Sequence, residues 1–408
     1  MKHTLICSAA LAVGMAFNAF ADEAADRQAA ADMNRQGFKL FGTVCEAKAK
    51  ENRFISPYSI DGAFGMVYCG AKGRTADEIC ATLGLPADPA GCGAFFASLA
   101  GQYAEAEKTE ILVSNSVWTD TKQNVLPTFT EMIQKYYGGA FYKEDFKQSA
   151  KVAAKVNAYV ESKTKNMIKD LLTPDFFSED TSMVLLNTLY FEAKWQKPFP
   201  KDSTREMTFR QFDGGEKQVQ MMYQKDRIAY FADRDDNVHA IVLPYENTRF
   251  ELVALMPIQE GEDAGEAALK GIVGKIGDKL DAWLGRRMPG ETRVWLPKTD
   301  LTCKLDLAET LQGLGMKTPF SKQADFSGID TEERLRVENV VHKTALKMDE
   351  VSTKAAAATA VGMARITSIG MPDPVNDFRA DRPFLVLIRD NQTGLILFMG
   401  RINDPTAK

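Results

Sequence analysis

The spacing of apolar positions changes along the chain from helical to strand-like. Apolar residues three and four positions apart predict helices at residues 25–50, 57–68, 129–137, 152–168 and 264–284. Alternating or continuous apolar runs predict strands at 111–118, 183–191, 217–222, 227–232, 239–244, 249–256, 294–296, 384–388 and 395–399. No internal repeat or low-complexity linker divides the sequence. We therefore predict one α+β domain in which helices come early and strands dominate later.

Local signals refine some of these boundaries. Pro57 suits the first turn of a helix that runs to about Tyr68. Thr75 followed by Glu78 has the capping-box pattern and predicts the start of the next helix. Residues 84–93 are rich in Pro, Gly and Asp, which predicts a loop.

Residues 343–374 combine two different patterns. Alternation around Thr344, Leu346 and Met348 predicts a strand, and a run of small residues follows from Thr353 to Val361. Alanine has the best helix propensity, so composition alone allows a helix there. However, the run has no apolar stripe to dock a short helix. Small side chains without proline also suit a strand that enters a sheet already in place.

Composition excludes some classes of function. The chain has 408 residues, 45% of them apolar, and a net charge of −5, which argues against nucleic acid as a partner. The apolar run from Leu5 to Phe20 follows Lys2 and ends in Ala19-Phe20-Ala21. This pattern predicts a signal peptide at residues 1–21 and a secreted or periplasmic protein, with no membrane partner for the remainder.

The cysteines and histidines do not form a pattern typical of a metal site or a catalytic site. Five cysteines follow the predicted signal, at positions 45, 69, 80, 92 and 303, and an odd number at irregular spacing is not a disulfide framework. Cys80 and Cys92 fit either a disulfide or two buried thiols. Only two histidines remain, His239 and His342, and no nucleophile elbow or zinc motif occurs. We predict no enzymatic activity, cofactor or metal.

Several motifs resemble the serpin family. His342–Ala345, Asp349-Glu350 and Thr353–Ala360 resemble the hinge of the serpin reactive loop. Further similar segments lie at 52–59, 156–172, 186–199, 314–316, 324–329 and 382–401, so the resemblance runs from about residue 35 to residue 403. It implies a tail at 22–34 and a serpin domain at 35–408. That fold has about nine helices, a large central sheet, two smaller sheets and an exposed reactive-centre loop at about 350–377.

The resemblance also implies roles for individual residues. The hinge comprises Glu350, Ser352, Thr353, Lys354, Ala355, Ala356, Ala357, Ala358 and Thr359. A polar cluster beneath the central sheet, the shutter, comprises Ser56, Ser59, Asn187 and His342, although the context of His342 also fits an ordinary core histidine. The breach, where the sheet opens, comprises Trp195, Lys298 and Glu350. Short polar groups beneath a sheet need one another as hydrogen-bond partners.

The loop length usual in the family predicts the bait bond, which is the peptide bond of the reactive loop that a protease attacks. Counting forward from the hinge gives Ile366-Thr367, which suits elastase-like or subtilisin-like proteases. Cleavage one residue earlier, at Arg365-Ile366, suits trypsin-like proteases, whose specificity pocket carries a carboxylate. Counting back from Arg382 gives a position nearer Ile369, and we prefer the forward count because insertion length decides how far a protease is carried.

The function implied by the resemblance is inhibition of a serine protease, with cysteine proteases as a further target class. The protein acts as a suicide substrate: its cut loop inserts into the central sheet while still bound to the protease. Val351 and Ser352 replace the usual polar residue and glycine before the hinge, so insertion is expected to be slower at worst. We expect a monomer. The alternative is a non-inhibitory serpin that acts as a chaperone or carrier.

Overall fold

A computed structural model describes residues 23–138, 140–178, 181–258, 265–331, 335–353 and 375–407. The α-helices within these ranges are α1 (Glu23–Ala47), α2 (Pro57–Tyr68), α3 (Gly73–Leu83), α4 (Pro89–Ala104), α5 (Pro127–Tyr137), α6 (Ser149–Lys163), α7 (Glu266–Gly285) and α8 (Ala308–Gly313). The strands are β1 (Arg53–Ile55), β2 (Thr109–Asp120), β3 (Ala140–Glu144), β4 (Met183–Lys194), β5 (Arg205–Arg210), β6 (Glu216–Asp233), β7 (Val238–Pro244), β8 (Phe250–Met256), β9 (Met288–Pro297), β10 (Thr299–Asp306), β11 (Val337–Met348), β12 (Ser352–Thr353), β13 (Asn376–Arg379), β14 (Phe384–Asp390) and β15 (Ile396–Ile402).

The central sheet has the order β10-β11-β4-β2-β3, and β12 also pairs with β4. β11 and β4 are parallel neighbours, whereas β4 is antiparallel to both β2 and β12. Nearly every residue of β4 is buried, as expected for a strand covered on both faces. The continuous apolar run at 183–191 predicted this strand correctly.

The other strands form one nine-stranded sheet, ordered β1-β15-β14-β8-β7-β6-β9-β13, with β5 beside β6. The long strand β6 pairs with β5 through Glu216–Met221 and with β7 through Ala229–Asp233. It therefore joins the two smaller sheets that the resemblance implied into one hydrogen-bonded path. The described residues contain eight α-helices, against about nine expected.

Two apolar cores cover the faces of the central sheet. On one face lies α2, every residue of which is buried. On the other face, Trp118, Val184 and Val341 of the sheet pack with α6 residues Val152 and Val156. The central sheet is thus enclosed between layers, and its polar residues must find partners inside the protein.

The structure corrects several local predictions. Residues 23–34, expected to be a tail, belong to α1, where Ala30 and Met33 are buried. The loop prediction for 84–93 is wrong after Asp88, whose side chain accepts a hydrogen bond from Gly91 N at the start of α4. All five cysteines in the described residues are free thiols, so Cys80 and Cys92 are not paired.

Candidate functional site

The predicted hinge begins with a tight turn built around Asp349. Its Oδ1 accepts hydrogen bonds from the backbone N of Val351 and of Ser352, both at 3.0 Å, and its own N donates to Ser352 O at 2.9 Å. The chain therefore reverses after β11 and returns as β12, antiparallel to β4. Ser352 lies opposite Lys194, and Thr353 lies opposite Ala193. Ser352 and Thr353, at the start of the run of small residues, are therefore already paired with the central sheet.

Glu350, at the same turn, forms an ion pair with Lys298. The distance from Lys298 Nζ to Glu350 Oε2 is 2.9 Å, and Thr204 Oγ1 donates to Glu350 Oε1 at 2.9 Å. Burial disfavours ionisation of this carboxyl, but the hydrogen bonds from Lys298, Thr204 and its own backbone together lower its pKa. The charged carboxylate is thus stabilised where the chain turns back toward the sheet.

Trp195 holds this turn from the other side. Its indole Nε1 donates to Asp349 O at 2.9 Å, and its backbone N donates to Val351 O at 3.1 Å. The buried ring stacks on Tyr245 with centroids 4.9 Å apart and an interplanar angle of 11°. The structure therefore brings together the three predicted breach residues: Trp195 and Lys298 both contact the turn that carries Glu350.

Away from this turn, β11 and β4 are at first not paired with each other, and further along they form direct ladder pairs. Direct pairs run from Val337–Met183 to Thr344–Leu189, and β12 pairs with β4 only at Ala193 and Lys194. Within the part of the chain that the structure describes, β4 residues 190–192 have ladder partners on the β2 side alone. The sheet is therefore closed at one end and open at the other, with the hinge at the open end.

The predicted shutter residues meet under the closed end. His342 Nδ1 contacts Asn187 Oδ1, and His342 Nε2 accepts a hydrogen bond from Ser56 N at 3.0 Å. Ser56 Oγ donates to Leu397 O at 2.7 Å and accepts from Ser59 N at 3.1 Å, which caps α2. Burial lowers the pKa of His342 to about 3, so its imidazole is neutral at physiological pH.

Asn115 of β2 completes this cluster and was missed in the sequence. Ser59 Oγ donates to Asn115 Oδ1 at 3.2 Å. In the sheet register Asn115 lies opposite Asn187, which lies opposite His342, so three polar residues cross three strands in one row. Asn115 sits in a strand of mixed pattern, and only the cross-strand register places it beside the cluster.

The remaining predicted site residues lie outside the described residues. They are the rest of the hinge and the candidate bait positions: Lys354, Ala355, Ala356, Ala357, Ala358, Thr359, Arg365, Ile366, Thr367 and Ile369. The described part of the reactive loop is limited to residues 350–353 at its start and 375–377 at its end.

Comparison with known proteins decides the family. A family model described as Serpin (serine protease inhibitor) matches residues 31–405. The chain belongs to the serpin family. A serine protease inhibitor from Cyanea capillata is 32% identical to this serpin over 391 residues, 93% of this chain and 99% of the relative. The human leukocyte elastase inhibitor is 33% identical over 378 residues, 91% of this chain and 98% of the relative.

A solved serpin structure agrees with the fold described above. Human thyroxine-binding globulin, complexed with thyroxine, superimposes on this serpin with a TM-score of 0.82 at 25% identity. The match covers 93% of this chain and 99% of that protein. The α+β serpin fold predicted from the sequence is therefore confirmed. None of the helices described here is long and apolar enough to cross a bilayer.

Proposed function

We propose that this serpin is a suicide-substrate inhibitor of serine proteases. The observation that carries the proposal is the position of the hinge. Ser352 and Thr353 already pair with β4 in the antiparallel direction, at the open end of a sheet whose two central strands are otherwise parallel neighbours. A cut loop that continues in this register becomes a new strand between β11 and β4.

The register of β12 predicts how far such a strand extends. Because Thr353 lies opposite Ala193, each further residue of the loop faces the preceding residue of β4. Ten more pairs bring Met363 opposite Met183, where β4 begins, a distance of about 33 Å at roughly 3.3 Å per residue. The forward-count bait residue Ile366 then lies just beyond that end of the sheet. A protease esterified there is carried along the full length of β4.

Insertion in this register releases free energy. The new strand gains ladder bonds to β4 and, once the β11–β4 pairs part, to β11. If each net hydrogen bond contributes about 0.5–1.5 kcal/mol, the gain is on the order of ten kcal/mol. The uncut protein is then kinetically trapped rather than at its most stable arrangement. The polar cluster of His342, Asn187 and Ser56 lies where β11 and β4 must part.

The finer parts of the proposal follow from the sequence. The bait bond is Ile366-Thr367, with Arg365-Ile366 as the alternative, and the target is an elastase-like, subtilisin-like or trypsin-like protease. The protein acts as a monomer after removal of residues 1–21 and works outside the cytoplasm. Leukocyte elastase inhibitor among the similar proteins supports a target with an apolar specificity pocket.

Incubation with elastase, subtilisin and trypsin, followed by denaturing gel electrophoresis, tests inhibition. A covalent band as heavy as both proteins together is expected with at least one protease. Sequencing the C-terminal peptide, separated from the rest of the chain on the denaturing gel, locates the bait: a start at Thr367 supports the forward count, and a start at Ile366 supports Arg365. Cleavage of the loop by all three proteases without a covalent band contradicts the inhibitor proposal.

A second candidate function is that of a carrier. A cavity of about 380 Å³ lies between α1 and α7, lined by Phe38, Leu269, Val273 and Gly274 among others, and its volume suits a small ligand. The similarity to thyroxine-binding globulin, whose structure was solved with its ligand bound, supports a carrier function. Saturable binding of the fluorescent probe ANS that is lost in Gly274→Leu supports it. Gly271→Leu is the matched control, because a side chain at either glycine meets no atom within 4 Å but only Gly274 lines the cavity.

A further inference from the structure

Three strands beside the end of the reactive loop carry a row of aromatic and cationic side chains. Arg379 of β13 lies opposite Trp295 of β9, which lies opposite Tyr223 of β6. The Arg379 guanidinium lies over the Trp295 ring, 4.5 Å from its centroid, and the Tyr223 ring centroid is 5.0 Å away. Along the strands these residues alternate with buried ones such as Phe378 and Val294, so they share the outer face of the sheet.

The neighbouring rows on this face are charged. Arg293 forms a two-pronged ion pair with Asp377, at 2.6 and 2.9 Å, and its guanidinium also lies 5.8 Å from the Trp295 centroid. Lys225 pairs with Glu291 at 2.7 Å. We call these residues together the Trp295 face: Tyr223, Lys225, Arg227, Glu291, Arg293, Trp295, Asp377 and Arg379.

The Trp295 face is positive on a negative protein. It holds four cations against two carboxylates, whereas the whole chain has a net charge of −5. Within the described ranges, neither Arg227 nor Arg379 has a carboxylate at ion-pair distance, unlike Arg293 and Lys225. Two guanidinium groups on this surface are therefore available to a carboxylate on another molecule. Bidentate hydrogen bonding makes arginine well suited to such contacts.

We propose that the Trp295 face is a second docking surface for the target protease, and that it selects proteases with an acidic surface segment beside the active-site cleft. The proposal rests on the inhibitory function proposed above. Trp, Tyr and Arg are the residues most enriched among those that dominate the energy of protein interfaces. Here the indole is held between its neighbours before any partner arrives, so little conformational entropy is lost on binding.

The length of the loop puts a bound protease within reach of this face. Asn376, where β13 begins, follows Ile366 by ten positions, and ten residue steps span at most about 35 Å. A protease of about 220 residues has a radius of about 22 Å from the size scaling of globular domains. A protease held at the bait bond can therefore extend over β13 and β9. The Trp295 face thus begins on β13, ten positions along the chain from the proposed bait residue.

The physical effect expected from such a face is faster encounter. Exposed charges at the edge of an interface steer association and change its rate constant more than the dissociation rate. The effect is screened over a Debye length of about 10 Å at 0.1 M salt. Selection by the Trp295 face should therefore appear as a salt-dependent rate of complex formation.

The test uses two trypsin isoforms of opposite net charge and the same specificity. All proteins carry Ile366→Arg, so that trypsin cleaves at the forward-count bait position. The rate constant of covalent-complex formation is measured at low salt and at about 0.5 M NaCl, where charges are screened within a few ångströms. Anionic trypsin should react about tenfold faster than cationic trypsin at low salt, and this ratio should approach one at high salt.

Charge reversal on the face provides the decisive comparison. The double variant Arg227→Glu/Arg379→Glu should lose the preference for anionic trypsin while its stoichiometry of inhibition stays the same. The control variant Arg27→Glu/Arg74→Glu has the same net charge, and its two substituted side chains are exposed on α1 and α3. It should keep the preference. Trp295→Ala should lower the rate constant of covalent-complex formation with both isoforms, because the aromatic contact does not depend on charge.

Four results are distinguishable from the expected one. Equal rates with both isoforms, or the same loss of preference in both double variants, would overturn the proposal. Heparin binding that is lost in Arg227→Glu/Arg379→Glu, without any preference between the isoforms, would assign the Trp295 face to a polysaccharide and also overturn it. Failure of the Ile366→Arg protein to form a covalent complex with trypsin, together with failure of the unsubstituted protein to form one with elastase, subtilisin or trypsin, would contradict the inhibitory function itself.

Discussion

His342 lies directly opposite Asn187 where β11 and β4 run side by side, and the imidazole Nδ1 contacts the amide Oδ1. The other ring nitrogen, Nε2, accepts a hydrogen bond from Ser56 N at the start of α2. A neutral imidazole can accept that bond, whereas a protonated one cannot. The link between the two central strands and α2 therefore depends on the protonation state of one histidine.

Acid should weaken the native state through His342. Its pKa is about 3 in the folded protein and about 6.5 when unfolded, so between these values the unfolded chain binds one more proton. The free energy of unfolding should fall by about 1.4 kcal/mol per pH unit as the pH drops from 6 to 4, for this group alone. Denaturant unfolding across this range measures the slope.

His342→Gln provides the comparison for that slope. Glutamine offers a hydrogen-bonding side chain that does not titrate, so the variant should have a shallower pH dependence even if it is less stable at pH 7. His239, whose pKa burial lowers to about 4, remains in both proteins and contributes equally. Parallel curves for the two proteins would show that His342 does not carry the acid sensitivity.

Thr353→Arg should convert the inhibitor into a substrate. Thr353 is the last described residue of β12 and is paired with Ala193, so a long charged side chain at this position must enter the sheet at the start of insertion. The stoichiometry of inhibition should rise several-fold, with cleaved protein replacing covalent complex on a denaturing gel. Thr302→Arg, on the exposed side of β10 in the same sheet, should leave the stoichiometry unchanged.

Lys298→Ala should loosen the hinge turn. The variant leaves the carboxylate of Glu350, which is only 9% exposed, with Thr204 as its remaining side-chain donor. We expect a loss of about 1 kcal/mol in unfolding free energy, since the 39% exposed lysine is partly screened by water. We also expect a faster loss of inhibitory activity on storage at 37 °C, as uncut loop enters the sheet.

The exposed pair Lys347–Asp300 serves as the control for Lys298. Its distance is 3.0 Å and it also lies on the central sheet, but both side chains are solvated, at 37% and 66% exposure. Lys347→Ala should therefore change stability by a few tenths of a kcal/mol at most. If the two alanine variants lose activity at the same rate, the Glu350 ion pair does not restrain the hinge.

Asp61→Asn should stabilise the native protein. Asp61 lies inside α2, its Oδ2 has no hydrogen-bond partner among the described residues, and burial raises its pKa well above the usual range. Above about pH 4 the unfolded chain releases a proton that the native state retains, so stability falls as the pH rises. The gain from Asp61→Asn should therefore be larger at pH 7 than at pH 4.

Thermal unfolding of Asp61→Asn at both pH values measures this gain. Asp77→Asn, at an exposed position on α3, removes the same charge and should shift the melting temperature little at either pH. A melting temperature for Asp61→Asn that is lower than that of the wild type at pH 7 would mean that the carboxyl has a stabilising role.

Sequence reasoning worked where local chemistry and tertiary structure agree. Pro57 was predicted in the first turn of a helix running to about Tyr68, and α2 has these bounds, with Ser56 capping it. Sequence reasoning failed where contacts with distant parts of the chain determine the local structure. Glu78, expected in a capping box with Thr75, instead accepts hydrogen bonds from Lys317 N and Thr318 N. Thr75 Oγ1 accepts a hydrogen bond from Asp325 N, so α3 begins at Gly73 without a side-chain cap.

The candidate functional residues also divide into those that the sequence predicts and those that only the structure reveals. Lys298, Glu350 and Trp195 were predicted from motifs, and in the structure Lys298 and Trp195 contact the turn that carries Glu350. Asp349 was noted only as part of the Asp349-Glu350 motif, without its role in shaping that turn, and Asn115, which extends the polar row, belongs to no motif. Their positions depend on a chain reversal and on strand register, and neither of these can be read from a single sequence.

The burial of β14 and β15 determines what cleavage looks like in solution. Both strands follow the bait position in the chain, and their residues lie almost entirely within the core, hydrogen-bonded to β8 and β1. A break in the loop therefore severs the backbone without releasing a fragment. A cleaved molecule should keep its full mass in native mass spectrometry, and the two pieces should separate only after denaturation.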